Sequence, residues 1–527
     1  MATAGTLNKD RKDWIVFQRL SRISKAGGQL GKTGQKELAR IQAAHPEWQT
    51  SKGDRDDFPV WFETTVGDRG DAGELADIST EDLLGEMRSK VAADKLNNDG
   101  LWRRFIAAEP QRSLNALIEA SDAGDWPTDE WRQFFNYLLD KDDRPLMLAA
   151  FDFVETRDVN QLGEALHPLI QWLQHQHLRL VDYLSGPERL LALWDRLSQT
   201  VQADGQTSAD ALDDPMFAVL NENSGMLAIL LVEELIRRHG PPREQFEDDL
   251  APRFDAILTW RGRTGLVGQI ALFQRLAYIA NQASAWTLEK LAPLLAPTAP
   301  AAATRWIARL FQGQAGSPAL FNATAEGFWW SFDLKQEDSQ EGRVVILLQA
   351  AHRKILGEPY DITPQQAKSA LLREGPRALE ICARYLTFGG DDPDERARNW
   401  LDRSKPLFQF VWPKDKSART EEATQRLANL ALSVESAFPD AVATLVPYLT
   451  PAWDKDWGFY FDYEEKGQEL FARYPDAAVA LLDALIPPDR GPIILNEMLD
   501  GIEAANAGIA SDFRFQRLRA LGRRLAA

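Results

Sequence analysis

The chain's best match to a phosphate-binding motif lies near its beginning. The segment from Ala26 to Thr33 fits a relaxed phosphate-loop pattern, in which backbone N–H groups and a lysine bind phosphate. A true phosphate loop follows a buried strand, whereas the preceding Trp14, Phe17 and Leu20 have helical spacing. The context therefore favours a flexible turn between helices over a nucleotide site.

Histidine and glutamate give one pattern typical of a metal site. Glu164 and His167 have the Glu-x-x-His spacing of di-iron bundles, which places two ligands on one helix face. Such a site needs a second copy, and none of the other five histidines follows a glutamate by three residues. His175 and His177 are two residues apart, so a regular helix points them in nearly opposite directions. We expect no metal site, a structural or surface role for His167, and polar-face positions for the other two.

Cysteine and carboxylate chemistry have little support. The single cysteine, Cys382, lies in an apolar helical setting that would raise its pKa and leave it inert, and a lone cysteine fits a reducing cytoplasm. The acidic pairs Asp213-Asp214 and Asp248-Asp249 are typical of solvated helix ends. We therefore predict a non-enzymatic protein with no catalytic residue and no cofactor. An enzyme with an unfamiliar carboxylate site between helix layers stays open as an alternative.

Two aromatic clusters are the candidates for protein binding. Exposed tryptophan and tyrosine side chains often anchor protein interfaces. The same rings also fill junctions between helical layers, and the pattern favours that interpretation for both clusters. The candidate residues are Trp329 and Trp330 in the first cluster and Trp453, Trp457, Phe459, Tyr460 and Tyr463 in the second.

Composition narrows the classes of partner. The 527 residues carry a formal net charge of −18, which disfavours nucleic acid and anionic membranes because phosphate binding needs clustered lysine and arginine. The longest apolar run, about Met226 to Val232, is far shorter than the roughly 20 residues that span a bilayer. The first residues contain no apolar secretion signal. We expect a cytoplasmic protein whose partner is another protein.

The periodicity of apolar residues predicts helices nearly throughout. Trp131, Phe134, Phe135 and Leu138 form one apolar stripe at helical spacing, opened by turn and capping residues. Further on, an apolar helix beginning at Met226 ends before a Gly-Pro-Pro break. Alternation with a period of two is almost absent. The fold class is therefore predicted as all-α, an irregular HEAT-like or TPR-like solenoid or a set of stacked helix pairs.

Breaks in this pattern predict three segments. Residues 1–95 form a helical segment with an irregular acidic stretch, and residues 96–335 form the densest helical-repeat region. Residues 336–527 form a second helical region after a polar break. Its basic amphipathic end, from Asp512 to Leu525, is predicted to cap the array and cover the last apolar face.

Several stretches resemble successive landmarks of a helical region in bacterial anti-phage defence proteins. They are Ile41–Trp48, Gly124–Pro127, Leu220–Ala228, Phe408–Pro413 and Tyr474–Ala478. In those proteins the region commonly lies C-terminal to a sirtuin-like NAD-consuming effector domain. No Rossmann-type domain precedes Trp14 here, so no catalytic residue is carried over. The resemblance implies an effector in a longer protein or in a separate subunit.

The leading hypothesis is a recognition or regulatory module of a defence system. The resemblance implies that it senses a phage component or controls an effector subunit or domain. The rival hypothesis is a housekeeping scaffold or assembly subunit without an immune role. An oligomer is possible under either hypothesis, and the sequence identifies neither the partner nor the curvature of the array.

Overall fold

The computed structural model describes residues 16–17, 20–21, 31–46, 48, 72–93, 100–204, 212, 214–334, 339–387, 392–416, 419–451 and 467–526. Across these ranges the regular secondary structure is helical and no β-strand occurs. The all-α prediction is therefore confirmed. The chain divides into two units, Met1–Ala116 and Leu117–Ala527. The three segments drawn from the sequence stay a prediction.

The first unit contains α1 (Lys32–Ala44), a 3-10 helix (Ala72–Leu75), α2 (Thr80–Ala93), α3 (Leu101–Ala108) and the beginning of α4 (Pro110–Asp122). Its described core includes Leu75, Leu83 and Phe105, all fully buried. The Arg112 guanidinium on α4 donates hydrogen bonds to the carbonyls of Ala76, at 2.7 Å, and of Ile78. These bonds fix the 3-10 helix against α4.

The second unit is a long succession of short helices. Its first half contains α5 (Thr128–Leu138), α6 (Arg144–Glu155), α7 (Leu166–His175), α8 (His177–Tyr183), α9 (Glu188–Asp204), α10 (Pro215–Asn221), α11 (Asn223–Arg237), α12 (Ala251–Thr259), α13 (Gly262–Gln274), α14 (Leu276–Gln282), α15 (Ser284–Lys290) and α16 (Ala302–Phe311). Its second half contains α17 (Pro318–Ala323), α18 (Ala325–Ser331), α19 (Gln340–Ile355), α20 (Pro364–Glu374), α21 (Pro376–Leu386), α22 (Pro393–Asn399), α23 (Lys405–Val411), α24 (Glu421–Ser433), α25 (Phe438–Leu445), α26 (Gln468–Arg473), α27 (Pro475–Leu485), α28 (Leu495–Ala505) and α29 (Phe513–Ala526). Short 3-10 helices and one π-helical turn connect them: Val159–Ala165, Ala292–Leu295, Trp400–Ser404, Glu435–Ala437, Val446–Tyr448 and Ala507–Ser511.

Within the second unit, helices that are not consecutive in sequence pack side by side. The series α5, α7, α11, α13, α16, α19, α21 and α24 forms one layer in which each helix contacts the next. The intervening helices connect the members of this layer. Such stacking buries each apolar face mainly against its neighbours, as in helical-repeat proteins. The helical-repeat prediction is confirmed at this level.

Tryptophan side chains fasten neighbouring helices to each other. Trp194 on α9 donates its indole N–H to the carbonyl of Leu227 on α11 at 2.8 Å. Trp306 on α16 donates to the carbonyl of Leu295 at the same distance. Each ring thus combines a large buried apolar surface with a satisfied polar group. Among the described residues, the indoles of Trp131, Trp172 and Trp400 are also fully buried.

Helix boundaries follow local signals in most places and depart from them in one. The stripe from Trp131 to Leu138 is buried on α5, and α11 ends at Arg237, before the Gly-Pro-Pro break. The sequence also predicts a helix over 243–258, and this is wrong for its first part, because α12 begins only at Ala251. The carbonyls of Arg243 and Glu244 instead accept hydrogen bonds from the first N–H groups of α15.

Membrane-spanning potential is low across the described ranges. No single helix there is long and apolar enough to cross a bilayer, and only α10 with α11, joined at an 80° bend, passes a length and composition test as a pair.

Candidate functional site

The first aromatic cluster lies at the junction of α18 and α20. Phe328 and Phe332 are buried, whereas Trp329 and Trp330 are half-buried. The rings of Trp329 and Phe332 stack with centroids 6.0 Å apart, and Arg373 on α20 donates to the Trp329 carbonyl at 3.1 Å. The two indoles are therefore only partly accessible to a partner.

The second aromatic cluster is a candidate on the sequence evidence alone. Its candidate residues all lie outside the described ranges: Trp453, Trp457, Phe459, Tyr460 and Tyr463. Their proposed binding role stays a prediction.

The cysteine and the acidic residues that could in principle do catalytic chemistry make structural contacts in this fold. Cys382 is fully buried in α21, and burial raises the pKa of its thiol. The Asp214 carboxylate caps α10 by accepting from the Phe217 N–H at 2.9 Å. Asp249 accepts two hydrogen bonds from Arg238. In the described part of the chain, no three His, Cys, Asp or Glu side chains lie close enough to hold a metal ion.

The basic terminal helix α29 packs as predicted on its apolar face, whereas the sequence also predicts arginines that face water, and part of them bind acidic side chains instead. Phe515, Leu518 and Leu521 are buried against the preceding helices. Three of its arginines are only partly exposed and bind acidic side chains: Arg514 binds Asp512, Arg517 binds Asp483, and Arg519 binds Asp500 and Glu503. Much of its positive charge is thus neutralised within the chain.

A groove lined by apolar and polar side chains lies over α11 in the second unit, and we call it the α11 groove. It encloses about 320 Å³ between α7, α10, α11, α13 and α16. Its floor consists of Met226, Ile229, Val232 and Ala271. The groove exists because four helices of the packed layer, together with α10, each contribute one or more side chains to it.

Three large apolar side chains around this groove face solvent. Leu220 is 63% exposed, Ile236 is 41% exposed and Phe311 is 68% exposed. They come from three different helices, α10, α11 and α16, and all line the same groove. Single exposed apolar residues are common on protein surfaces, whereas several around one concavity are typical of a binding site.

A carboxylate lies among these apolar groups. Glu233 is half-buried and accepts a hydrogen bond from the Gln174 side-chain amide at 2.9 Å. Burial raises its pKa, against the opposing effects of the Gln174 hydrogen bond and of His177, His175 and Arg275. No ion pair to Glu233 forms among the described residues. The groove therefore presents an acid whose charge is not neutralised by direct contact.

A buried charge cluster lies directly beside this acid. Glu234 is 1% exposed and accepts hydrogen bonds from His177, Arg237 and Arg238 at 2.6–2.9 Å. Arg238 also binds Glu247 at 2.7 Å. The polar-face position expected for His177 is wrong, because its ring is buried against this carboxylate. Although burial opposes ionisation, the three donors together lower the pKa of Glu234 well below its usual range.

The groove was missed by sequence reasoning because its residues are widely separated, from Gln174 to Gln312. One signal was available. Glu233 and Glu234 interrupt an otherwise apolar helix, and an acidic pair in such a position needs partners. The stretch Leu220–Ala228, singled out for its resemblance, supplies Leu220 and Met226 to the groove.

Comparison with known proteins adds one relative. No family model matches the chain, and no solved structure matches it. The protein y4cA of Sinorhizobium fredii, described only as uncharacterized, is 26% identical over 497 residues. The match covers 89% of this chain and 39% of the relative, so the chain spans about two fifths of the length of the curated relative it matches.

Proposed function

We propose that this chain is a non-enzymatic helical-repeat recognition module, and that the α11 groove binds an amphipathic helical segment of a partner protein. The observation that supports it is the placement of Leu220, Ile236 and Phe311 around a carboxylate without an ion pair. An apolar stripe on the partner would cover the three side chains. A lysine or arginine on the same segment would bind Glu233.

The physical gain from such binding is concentrated at a few side chains. Burying a leucine, isoleucine or phenylalanine side chain contributes about 1.5–3 kcal/mol. An amphipathic helix offers anchors at positions i, i+3, i+4 and i+7 that match a groove between packed helices. The net charge of −18 attracts a basic segment over longer distances. These features favour a basic amphipathic helix over an acidic partner.

The biological setting of this proposal is cytoplasmic bacterial anti-phage defence. It is supported by the resemblance described above and by the position of the landmark stretch Leu220–Ala228 at the groove. In that setting the partner is a phage component or an effector subunit or domain. The groove would then couple recognition of one protein to control of another.

A binding experiment with defined probes tests the groove. Helical peptides selected on the full chain are expected to carry an apolar stripe with a basic residue. Their affinity, measured by fluorescence polarisation, should fall at least about tenfold on Phe311→Ser, a loss of roughly 1.4 kcal/mol. Leu356→Ser is the matched control, because Leu356 is 62% exposed and lies outside the groove. The proposed occupant would be refuted if both variants lost affinity equally, or if the selected peptides lacked a basic residue.

A separate experiment tests the defence role. The Phe311→Ser variant placed at the native locus should lose protection against phage to the same extent as a deletion of the gene. The Leu356→Ser variant should keep it. If deletion of the gene leaves plaque formation unchanged for every phage in a broad panel, the defence role is rejected. The housekeeping scaffold then becomes the better hypothesis.

A further inference from the structure

The methionines of the chain differ in their exposure to solvent. Five of the six lie in the described part of the chain, and Met216, in the first turn of α10, is half-buried. The other four described methionines are at most 4% exposed: Met87, Met147, Met226 and Met498. Among the described residues, Met216 is therefore the thioether that a reagent dissolved in water reaches most easily.

Met216 lines the α11 groove. It shares the wall of the groove with Leu220 and Phe311, two side chains that are largely exposed. Met226 lines the same groove but is only 2% exposed. The groove thus contains one accessible and one protected methionine, and a helix bound there would contact the accessible one.

The sulfur of Met216 has a polar neighbour. The side-chain amide of Gln274, at the end of α13, donates to Met216 Sδ at 2.9 Å. A thioether sulfur is a weak acceptor, and an oxygen atom bound to it would accept this N–H more strongly. Gln274 also lines the groove. An amide donor is therefore already in place for a methionine sulfoxide at this position.

A hydroperoxide supplies the oxygen atom that such a modification needs. A sulfur lone pair of the thioether attacks one oxygen of hydrogen peroxide, so that an S–O bond forms and the O–O bond breaks. The proton of the transferred hydroxyl passes to the leaving oxygen, which departs as water. The sulfur is oxidised by two electrons to the sulfoxide, and the peroxide is reduced by the same two electrons.

We propose that Met216 is a redox-modification site, and that its oxidation to the sulfoxide by a hydroperoxide weakens partner binding in the α11 groove. The effect on binding rests on the proposed function, whereas selective oxidation of Met216 does not. Oxidation replaces a flexible apolar side chain by a polar one. An apolar stripe on the partner would have to cover this polar group, which costs free energy even when Gln274 donates to it.

Selective oxidation is measured on the full chain without any peptide. The native chain is treated with hydrogen peroxide, and the added oxygen on each methionine is followed by mass spectrometry of its peptides. Met216 should be oxidised at least about tenfold faster than Met226, because oxidation of Met226 requires opening of the fold. In guanidinium chloride the two residues should react at similar rates. Equal rates in the native chain would overturn the proposal.

The effect on binding is measured with the helical peptides selected on the full chain. Their affinity should fall at least about threefold after peroxide treatment and recover when methionine sulfoxide reductases reduce the chain. Met216→Leu should show the same affinity before and after peroxide, whatever its starting value. Met216→Gln introduces a polar group without peroxide and should also weaken binding. Met87→Leu is the matched control, because Met87 lies outside the groove and this variant should respond to peroxide as the wild type does.

These measurements separate failure of the modification from failure of the groove. If the selected peptides do not bind the untreated chain, the groove proposal fails, whereas selectivity at Met216 is still judged by mass alone. If Met216 is oxidised selectively and peptide affinity stays unchanged, the regulatory role is rejected. A loss of affinity after peroxide that persists in Met216→Leu would assign the effect to another residue and also reject it.

Discussion

His177 Nε2 lies 2.9 Å from Glu234 Oε2, and the two side chains are 2% and 1% exposed. This pair joins α8 to α11 across 57 residues of sequence. Arg237 and Arg238 bind the same carboxylate from the following turn. The adjacent residue, Glu233, lines the α11 groove, so the cluster and the groove share α11.

Replacing the buried acid is expected to destabilise the fold strongly. Glu234→Gln removes the buried negative charge that His177 and Arg237 bind, whereas Arg238 keeps its acidic partners Glu247 and Asp249. Loss of one charge from a buried ion pair typically costs about 3–5 kcal/mol. The free energy of unfolding, measured by urea denaturation followed by circular dichroism at pH 7, checks this value. A loss below about 1 kcal/mol would show that the cluster contributes little.

The same acid predicts a pH dependence of stability. Hydrogen bonds lower the folded pKa of Glu234 below its ordinary value of 4.5, so its contribution is complete above that value. The contribution is lost as the pH falls toward the folded pKa. Wild-type stability should therefore decline between about pH 5 and pH 3 more steeply than that of Glu234→Gln. Parallel declines would contradict this assignment.

The neighbouring acid is expected to behave in the opposite way. Burial raises the pKa of Glu233, so ionisation of this group opposes folding as the pH rises through 4.5. Glu233→Gln should then increase the free energy of unfolding at pH 7 by up to about 1 kcal/mol, since partial exposure limits the effect. The gain should vanish at pH 4.

Peptide binding provides a second test of the Glu233→Gln variant. Glu233→Gln should weaken the binding of basic peptides although it stabilises the chain. A stabilised variant that binds such peptides with unchanged affinity would separate Glu233 from recognition. Stability gained at the expense of binding is the usual behaviour of a residue kept for function.

The helices were predictable where their signals are local. The apolar stripe on α5 and the Gly-Pro-Pro end of α11 depend on residues within one or two turns, and both agree with the structure. The non-helical start of residues 243–250 was not predictable, because the carbonyls of Arg243 and Glu244 accept hydrogen bonds from α15, about 40 positions later. The burial of His177 was not predictable for the same reason, because its partner Glu234 is distant in sequence. The α11 groove arises only when separate helices pack.

A close contact between helices explains a glycine in the landmark stretch. Gly225 in the first turn of α11 packs against the backbone of Val219 on α10, and a side chain there would collide with the Val219 carbonyl. Gly225→Ala is expected to cost about 1–3 kcal/mol through overpacking. Gly85→Ala is the matched control, because Gly85 is helical with open space around it and alanine should stabilise it by about 0.5–1 kcal/mol. Thermal unfolding of both variants measures the contrast, and a stabilised Gly225→Ala would exclude the close contact.

The single cysteine predicts a chemical test of core integrity. Cys382 is fully buried, and burial raises the pKa of its thiol, so two barriers oppose reaction with a thiol reagent. We expect no labelling of the native chain by a disulfide reagent and complete labelling in guanidinium chloride. Ala319→Cys adds an exposed thiol on α17 and should react at once with one equivalent. Because Cys382 is the only natural cysteine, its slow labelling in native buffer would then measure opening of the core around α21. Rapid labelling of the wild-type chain would show that this part of the helical array is open in solution.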